Sequence, residues 1–262
     1  MGGALARAVR KAMPEATLYL ADHSQEKAAE LATEIGGEVL DNETATKRAD
    51  CIFLGVKPQM LGDLAAEIGE VVRLRAGEVT LVSMAAGVGI GQINRLFGAD
   101  LPVIRIMPNT PVAVGAGTVL WCANEKVTEA REEEFRKMMS GAGMLSELPE
   151  NLIDAGCALS GCGPAFVCLF LEAMADGAVA CGLPRKQATE YAAQTLIGTA
   201  RLVLETDRHP GEVKDAVCSP AGSTIAGVRA LENGAFRADV MNAVIAAYEK
   251  TCRQGKSDGG HA

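Results

Sequence analysis

Aromatic side chains make up only 4% of the 262 residues, and histidine occurs three times, at His23, His209 and His261. With so few rings and so much alanine and glycine, the core must come from close helix packing, and no histidine lies in a motif suited to acid–base catalysis. The eight cysteines, at 51, 122, 157, 162, 168, 181, 218 and 252, include no CxxC pair and fall mostly in apolar runs. That pattern predicts reduced, buried thiols and no metal site. Positive charge is in short supply too: 25 Lys and Arg against 33 Asp and Glu leave a net charge of −8, which argues against nucleic acid as a partner. Long uncharged apolar runs are absent. The most apolar stretch, Ala165–Ala180, carries Glu172 and Asp176 and is shorter than a bilayer requires, so it is expected to be a buried helix with no membrane role. The opening Met1-Gly2-Gly3-Ala4-Leu5-Ala6 lacks the hydroxyl residue of a myristoylation signal, and no apolar stretch follows that could serve as a signal peptide. A cytoplasmic location is expected.

What is present divides in two. Over residues 1–150, short β-rich runs alternate with helical patterns, the signature of a parallel sheet with covering helices. Strands are expected at Thr17–Leu20, Glu38–Leu40, Cys51–Val56, Val79–Met84, Pro102–Met107, Thr118–Ala123 and Met144–Leu148. Helices are expected at Ser24–Ile35 with Ser24 as cap, at Pro58–Val72 with proline in the first turn, and at Thr128–Ser140. Past Asn151 the pattern is helical to residue 253, with helices from Pro164, from Arg185 to about Glu205, and over Ala235–Arg253. Ala165–Ala180 is apolar on nearly every side and has to be covered all round, which a domain of this size does not manage alone, so a homodimer is expected. The polar, glycine-rich tail 254–262 is expected to be disordered.

In an open sheet of this kind, ligands bind outside the carboxyl ends of the strands. There the chain places Asp22-His23-Ser24, Gly55-Val56-Lys57-Pro58, Ala85-Ala86-Gly87 and Pro108-Asn109-Thr110-Pro111. Small residues and glycines at these ends let a flat cofactor lie against backbone. Asp22 stands where a dinucleotide fold expects a carboxylate for the ribose 2′-hydroxyl, which favours NADH, whereas His23 and Ser24 suit the 2′-phosphate of NADPH; both cofactors stay open.

In the second half, an apolar helix near Glu212–Cys218 is cut by Ser219-Pro220, because the residue before a proline is pushed out of the helical region. Ala221-Gly222-Ser223-Thr224 then turns the chain into a second helix that ends at Asn233-Gly234. Its start offers free N–H groups, the hydroxyls of Ser219, Ser223 and Thr224, and a glycine at which a ligand can approach. A carboxylate suits such a place.

Pro210, Val213, Val217, Cys218, Ser219, Ala221, Gly222, Thr224, Gly227, Val228, Leu231 and Glu232 fall where the pyrroline-5-carboxylate reductase family has its signature, and the resemblance extends over nearly the whole chain. Ser160-Gly161-Cys162-Gly163-Pro164-Ala165-Phe166 resembles the family's Ser-Gly-Ser-Gly-Pro-Ala-Tyr, with cysteine for serine and phenylalanine for tyrosine. The resemblance implies an α/β Rossmann-like dinucleotide-binding domain followed by an all-α dimerisation domain, in homodimers some of which assemble into rings. It also implies a strand and a G-x-G-x-M-G turn ahead of the first helix, of which Met1-Gly2-Gly3 looks like the end. With the first strand and two glycines missing, the expectation is that Met1 is an internal methionine of a longer protein. Gly2, Asn42, the Gly55–Pro58 loop, Ala85-Ala86-Gly87 and Asn109 would then join Asp22, His23 and Ser24 at the cofactor.

The implied reaction is reduction of 1-pyrroline-5-carboxylate to proline by NADPH or NADH, with the substrate carboxylate on Ser219, Gly222, Ser223 and Thr224. A protonated cyclic imine is already an electrophile, so little acid–base machinery is needed. Lys57 is one catalytic candidate. Cys157 is another, standing where the family has a threonine that faces the substrate nitrogen, but a thiol is the weaker hydrogen-bond donor. A reductase of another imine or keto acid on the same plan, and a non-catalytic dinucleotide- or proline-binding protein, are the alternatives.

Overall fold

The protein is described by a computed structural model covering residues 1–257. The chain forms two compact units, one built from Met1–Cys162 together with the chain from Ala247 onward, the other from Gly163–Ala246.

The first unit opens with helix α1 (Gly2–Ala12), whose apolar residues recur at Leu5, Ala8 and Val9 and are buried. Strand β1 (Tyr19–Leu20), helix α2 (Gln25–Ile35) and strand β2 (Glu38–Val39) follow, with β1 and β2 paired in parallel as a sheet of their own. Ser24 caps α2 by accepting the Lys27 N–H, and Gly36 ends it at φ 70°, where a left-handed residue is needed and glycine carries no Cβ penalty. A five-stranded sheet comes next in strictly sequential order: β3 (Cys51–Leu54), β4 (Thr80–Ser83), β5 (Val103–Pro108), β6 (Gly117–Ala123) and β7 (Gly143–Glu147). Helices α3 (Asn42–Arg48), α4 (Leu61–Leu74), α5 (Ile90–Phe97) and α6 (Glu129–Met139) make the connections, and a 3₁₀ turn at Pro58–Met60 leads into α4.

The parallel sheet expected from the sequence requires one correction. β5 and β6 are antiparallel, with Ile106 opposite Trp121, while every other adjacent pair is parallel. The connection 109–116 holds only a 3₁₀ turn at Thr110–Val114, and a parallel crossover needs a dozen residues or more.

β4 and β5 are buried on both faces, as strands covered on two sides must be. One face packs Leu81, Val103 and Met107 against Ile68, Val72 and Phe97 of α4 and α5. The other packs Val82, Ile104 and Ile106 against Leu5 and Val9 of α1 and Phe135 and Met139 of α6. Helix α7 (Glu150–Gly156) leaves β7 and passes directly into a π-helical turn, Cys157–Gly161.

The second unit is helical: α8 (Gly163–Ala180), α9 (Arg185–Thr206), α10 (Pro210–Ala216), α11 (Ser223–Asn233) and the first part of α12 (Phe236–Ser257). Its core is small, formed by Ala175 of α8 against Ala188 and Ala192 of α9. Of the eighteen residues of α8 only Ala175 is buried, while Val167 and Leu169 are 52% and 67% exposed. The apolar helix expected to be buried is therefore bare in a single chain, and Cys168 and Cys181 are exposed with it, against the buried state expected of them. The stretch 150–180 runs as 31 residues of helix, long and apolar enough by length and composition to cross a membrane. The tail expected to be disordered lies outside the described residues from 258 onward; α12 itself continues to Ser257.

Candidate active site

In the first unit, the sequence-predicted residues gather at the carboxyl ends of parallel strands. Asp22 follows β1, and its Oδ1 accepts the Ser24 N–H at 2.8 Å while lying 3.1 Å from His23 Nδ1. This local turn holds an exposed carboxylate beside an exposed imidazole. At the end of β3, Gly55 is exposed with open space where a Cβ would be, and Lys57 is exposed at the start of the 3₁₀ turn. At the end of β4, Ala85 is buried and Gly87 takes φ 74°. The start of α1 has no side-chain cap, and nothing lies within 4 Å of a Cβ built on Gly2. Open glycines and small residues at these strand ends let a flat cofactor lie against backbone, so the residues present suit a dinucleotide.

Two predicted residues are engaged within the protein. Asn42 donates to both oxygens of Glu67, at 3.1 and 2.9 Å, and sits in the first turn of α3 behind the Asp41 cap. Asn109 is buried, its Oδ1 accepting the Thr118 N–H at 2.8 Å and its Nδ2 donating to the Ser160 carbonyl at 3.0 Å.

Cys157 opens the π-turn and is 7% exposed. Burial above all pushes its thiol up to about 11, so it is neutral at pH 7. Beneath it, a network that sequence reading missed ties α7 to the sheet. Arg105, in mid-β5 and almost wholly buried, meets Asp154 Oδ1 at 2.5 Å and Glu150 Oε1 at 3.7 Å. Glu150 also accepts the Ile90 N–H at 2.6 Å, capping α5 from a distance. The Arg-x-x-x-Asn spacing of β5 was the available signal, but its partners lie about fifty residues away. A recess of about 550 Å³ beside Glu147 and Glu150 is lined by none of the predicted cofactor residues. It is a solvent-open groove, and the strand-end chemistry is the better guide to the site.

In the second unit, Val217–Gly222 joins α10 to α11. α10 ends at Ala216, ahead of Ser219-Pro220, and Ala221 adopts φ 57°. For an alanine this left-handed conformation costs roughly 1 kcal/mol and has to be held by its surroundings. Gly222 is the N-cap of α11, and no side chain caps that helix. A Cβ at Gly222 would lie 2.4 Å from Ser219 Oγ, so the glycine is what allows that hydroxyl to lie over the helix start. Ser219, Ser223 and Thr224 are exposed beside the free first-turn N–H groups. The arrangement can grip one small anion with hydroxyls, backbone donors and the positive end of the helix dipole.

A crossover sheet with ligand-accessible strand ends, followed by a helical unit that leaves its apolar surface bare, gives the chain the plan of a dinucleotide-binding protein with a helical second unit. The family model for pyrroline-5-carboxylate reductase dimerisation matches residues 150–253, and that for NADP oxidoreductase, coenzyme F420-dependent, matches residues 1–87. The chain is 43% identical over 216 residues to the pyrroline-5-carboxylate reductase of Synechocystis sp., covering 82% of this chain and 79% of the relative. With that of Escherichia coli it shares 39% over 235 residues, covering 89% and 86%. The crystal structure of Plasmodium falciparum pyrroline carboxylate reductase with NADP bound superposes with a TM-score of 0.87 at 31% identity, over 97% of this chain and 94% of that one. The chain belongs to the pyrroline-5-carboxylate reductase family.

Proposed function

We propose that the protein reduces 1-pyrroline-5-carboxylate to proline. The observation that carries this reading is the 43% identity to a reductase of that name over most of both chains. NADPH or NADH, when bound, supplies a hydride to the C=N carbon, and the nitrogen of the protonated imine keeps its proton in the amine product. The substrate arrives as an electrophile, so the chain's residues have to bind, orient and exclude water.

Ser219, Thr224 and the N–H groups of Gly222–Thr224 hold the substrate carboxylate. Asp22, His23 and Ser24 face the adenosine ribose, the start of α1 at Gly2 takes the pyrophosphate, and Gly55–Pro58 with Ala85-Ala86-Gly87 line the rest of the cofactor. Neither candidate acid is needed: Lys57 is exposed and in no ion pair among the described residues, and the Cys157 thiol is neutral at pH 7. Lys57→Ala should leave the maximal rate within about threefold, since removal of a true general acid costs about 100-fold or more.

Dimers form through α8 and its neighbours, further assemble into rings, and work in the cytoplasm. The assay that decides the reaction supplies pyrroline-5-carboxylate, piperideine-6-carboxylate and 2-oxo acids in parallel. Each is followed by NADPH oxidation at 340 nm, with proline identified by mass. Faster turnover of either alternative than of pyrroline-5-carboxylate would replace this reading.

A further inference from the structure

Pro164 has no N–H, so the carbonyl of Ser160, four residues earlier, is denied the donor that an α-helix would supply there. The structure fills that position from elsewhere: Asn109 Nδ2 donates to the Ser160 carbonyl at 3.0 Å. The same amide accepts from the Thr118 N–H at 2.8 Å, and Asn109 is only 9% exposed. Both partners are backbone groups of fixed polarity, one able only to donate and the other only to accept, so the amide orientation is determined. One side chain thus joins the end of β5, strand β6 and the π-turn.

The turn it holds is tight. Cys162 N–H bonds five residues back to the Cys157 carbonyl at 3.1 Å, Ser160 Oγ donates to the Gly156 carbonyl at 2.9 Å, and a Cβ on Gly161 would lie 3.0 Å from Cys157 Sγ. One turn earlier, in α7, Asp154 is fixed to β5 by Arg105. π-turns place one residue out of helical step and occur frequently at functional sites, and this one lies at the carboxyl end of β5, where open sheets of this kind bind ligands.

We infer that Asn109 is a positioning residue for the reduction, acting through the π-turn, and not a ligand of the dinucleotide. The inference rests on the reductase reading given above. Its role is to replace the hydrogen bond that Pro164 withholds and so to fix where Cys157–Gly161 stands. No other side chain of this length both donates and accepts as required: Asn109→Asp would keep the bond from Thr118 but set an oxygen against an oxygen, and Asn109→Ala would leave both backbone groups unpaired.

The test compares the unaltered chain with Asn109→Ala and with Asn109→Ala combined with Pro164→Ala, in which residue 164 regains an N–H for the Ser160 carbonyl. Hydrogen–deuterium exchange of the ligand-free protein over residues 157–163 should quicken by about tenfold in the single variant, and kcat should fall by about tenfold, the effect of losing the bond to the Ser160 carbonyl. NADPH affinity, read by fluorescence quenching, should stay within about twofold. The double variant should recover a several-fold share of both losses. If Asn109→Ala does not fold, Asn109→Asp keeps the Thr118 bond, removes only the donor, and carries the same expectations. The inference is overturned if NADPH affinity drops tenfold while exchange over 157–163 is unchanged, or if Pro164→Ala rescues nothing. Should the unaltered chain fail to turn over pyrroline-5-carboxylate, the reaction assigned above falls, while the exchange and affinity measurements still judge Asn109.

Discussion

A methyl group at position 222 would lie 2.4 Å from Ser219 Oγ, so Gly222→Ala must displace either that hydroxyl or the start of α11. The expected result is a rise of roughly tenfold or more in the KM for pyrroline-5-carboxylate with NADPH affinity unchanged, because hydrogen bonds to a charged group contribute about 1.5–3 kcal/mol. On the proposed carboxylate site, Thr224→Ala removes one such bond and should weaken substrate use by about 10- to 100-fold; an unchanged KM would count against holding the carboxylate there. Buried thiols set a pH dependence of stability. Burial raises Cys51 to about 12, and Cys122 and Cys157 to about 11, from an ordinary value of 9.0. A raised value in the folded state means that stability is complete below pH 9 and is lost as pH climbs through 11 to 12, because folding then has to keep a proton the unfolded chain would release. Urea midpoints should hold from pH 7 to 9 and fall above that, and Cys157 should resist iodoacetamide at pH 8 until the protein opens.

Among elements, α7 is pinned to the sheet by ion pairs. Asp154→Ala leaves the Arg105 guanidinium buried at 5% side-chain exposure with Glu150, 3.7 Å away, as its one counter-charge among the described residues. Breaking such a pair costs about 3–5 kcal/mol; with Glu150 remaining, a loss near the lower figure is expected in chemical denaturation. The residues of α7 gave no hint of this, because an ion pair formed across about fifty residues leaves no local pattern. The same reason hid Asn109, which reads as one more strand-end residue until Ser160 and Thr118 are seen around it. Strands β3 to β7 were legible because apolar runs bounded by Gly, Pro and Asp are local, and the Ser24 cap and the break at Ser219-Pro220 were legible for the same cause. Helix α3, Asn-Glu-Thr-Ala-Thr-Lys-Arg, has almost no apolar period and is set by the Asp41 cap, whose Oδ1 accepts from Thr44 N–H at 2.7 Å. The antiparallel turn of β6 follows from loop length, a weaker signal than composition.

For the whole molecule, the decisive feature is the uncovered surface of α8 and the helices beside it. Leu169, Ile197, Leu204 and Met241 are each at least half exposed in one chain, and the residues that carry them match the dimerisation family model. Sedimentation should show no monomer at micromolar concentration, whereas Leu169→Glu should release monomers of lowered thermal midpoint. The midpoint of the unaltered protein should rise with its own concentration, since association stabilises by mass action. A subunit damaged only at its nucleotide loops keeps α8 intact and will still pair with a sound one. In a cell producing both forms, the damaged copy is therefore expected to sit in mixed assemblies beside its working counterpart.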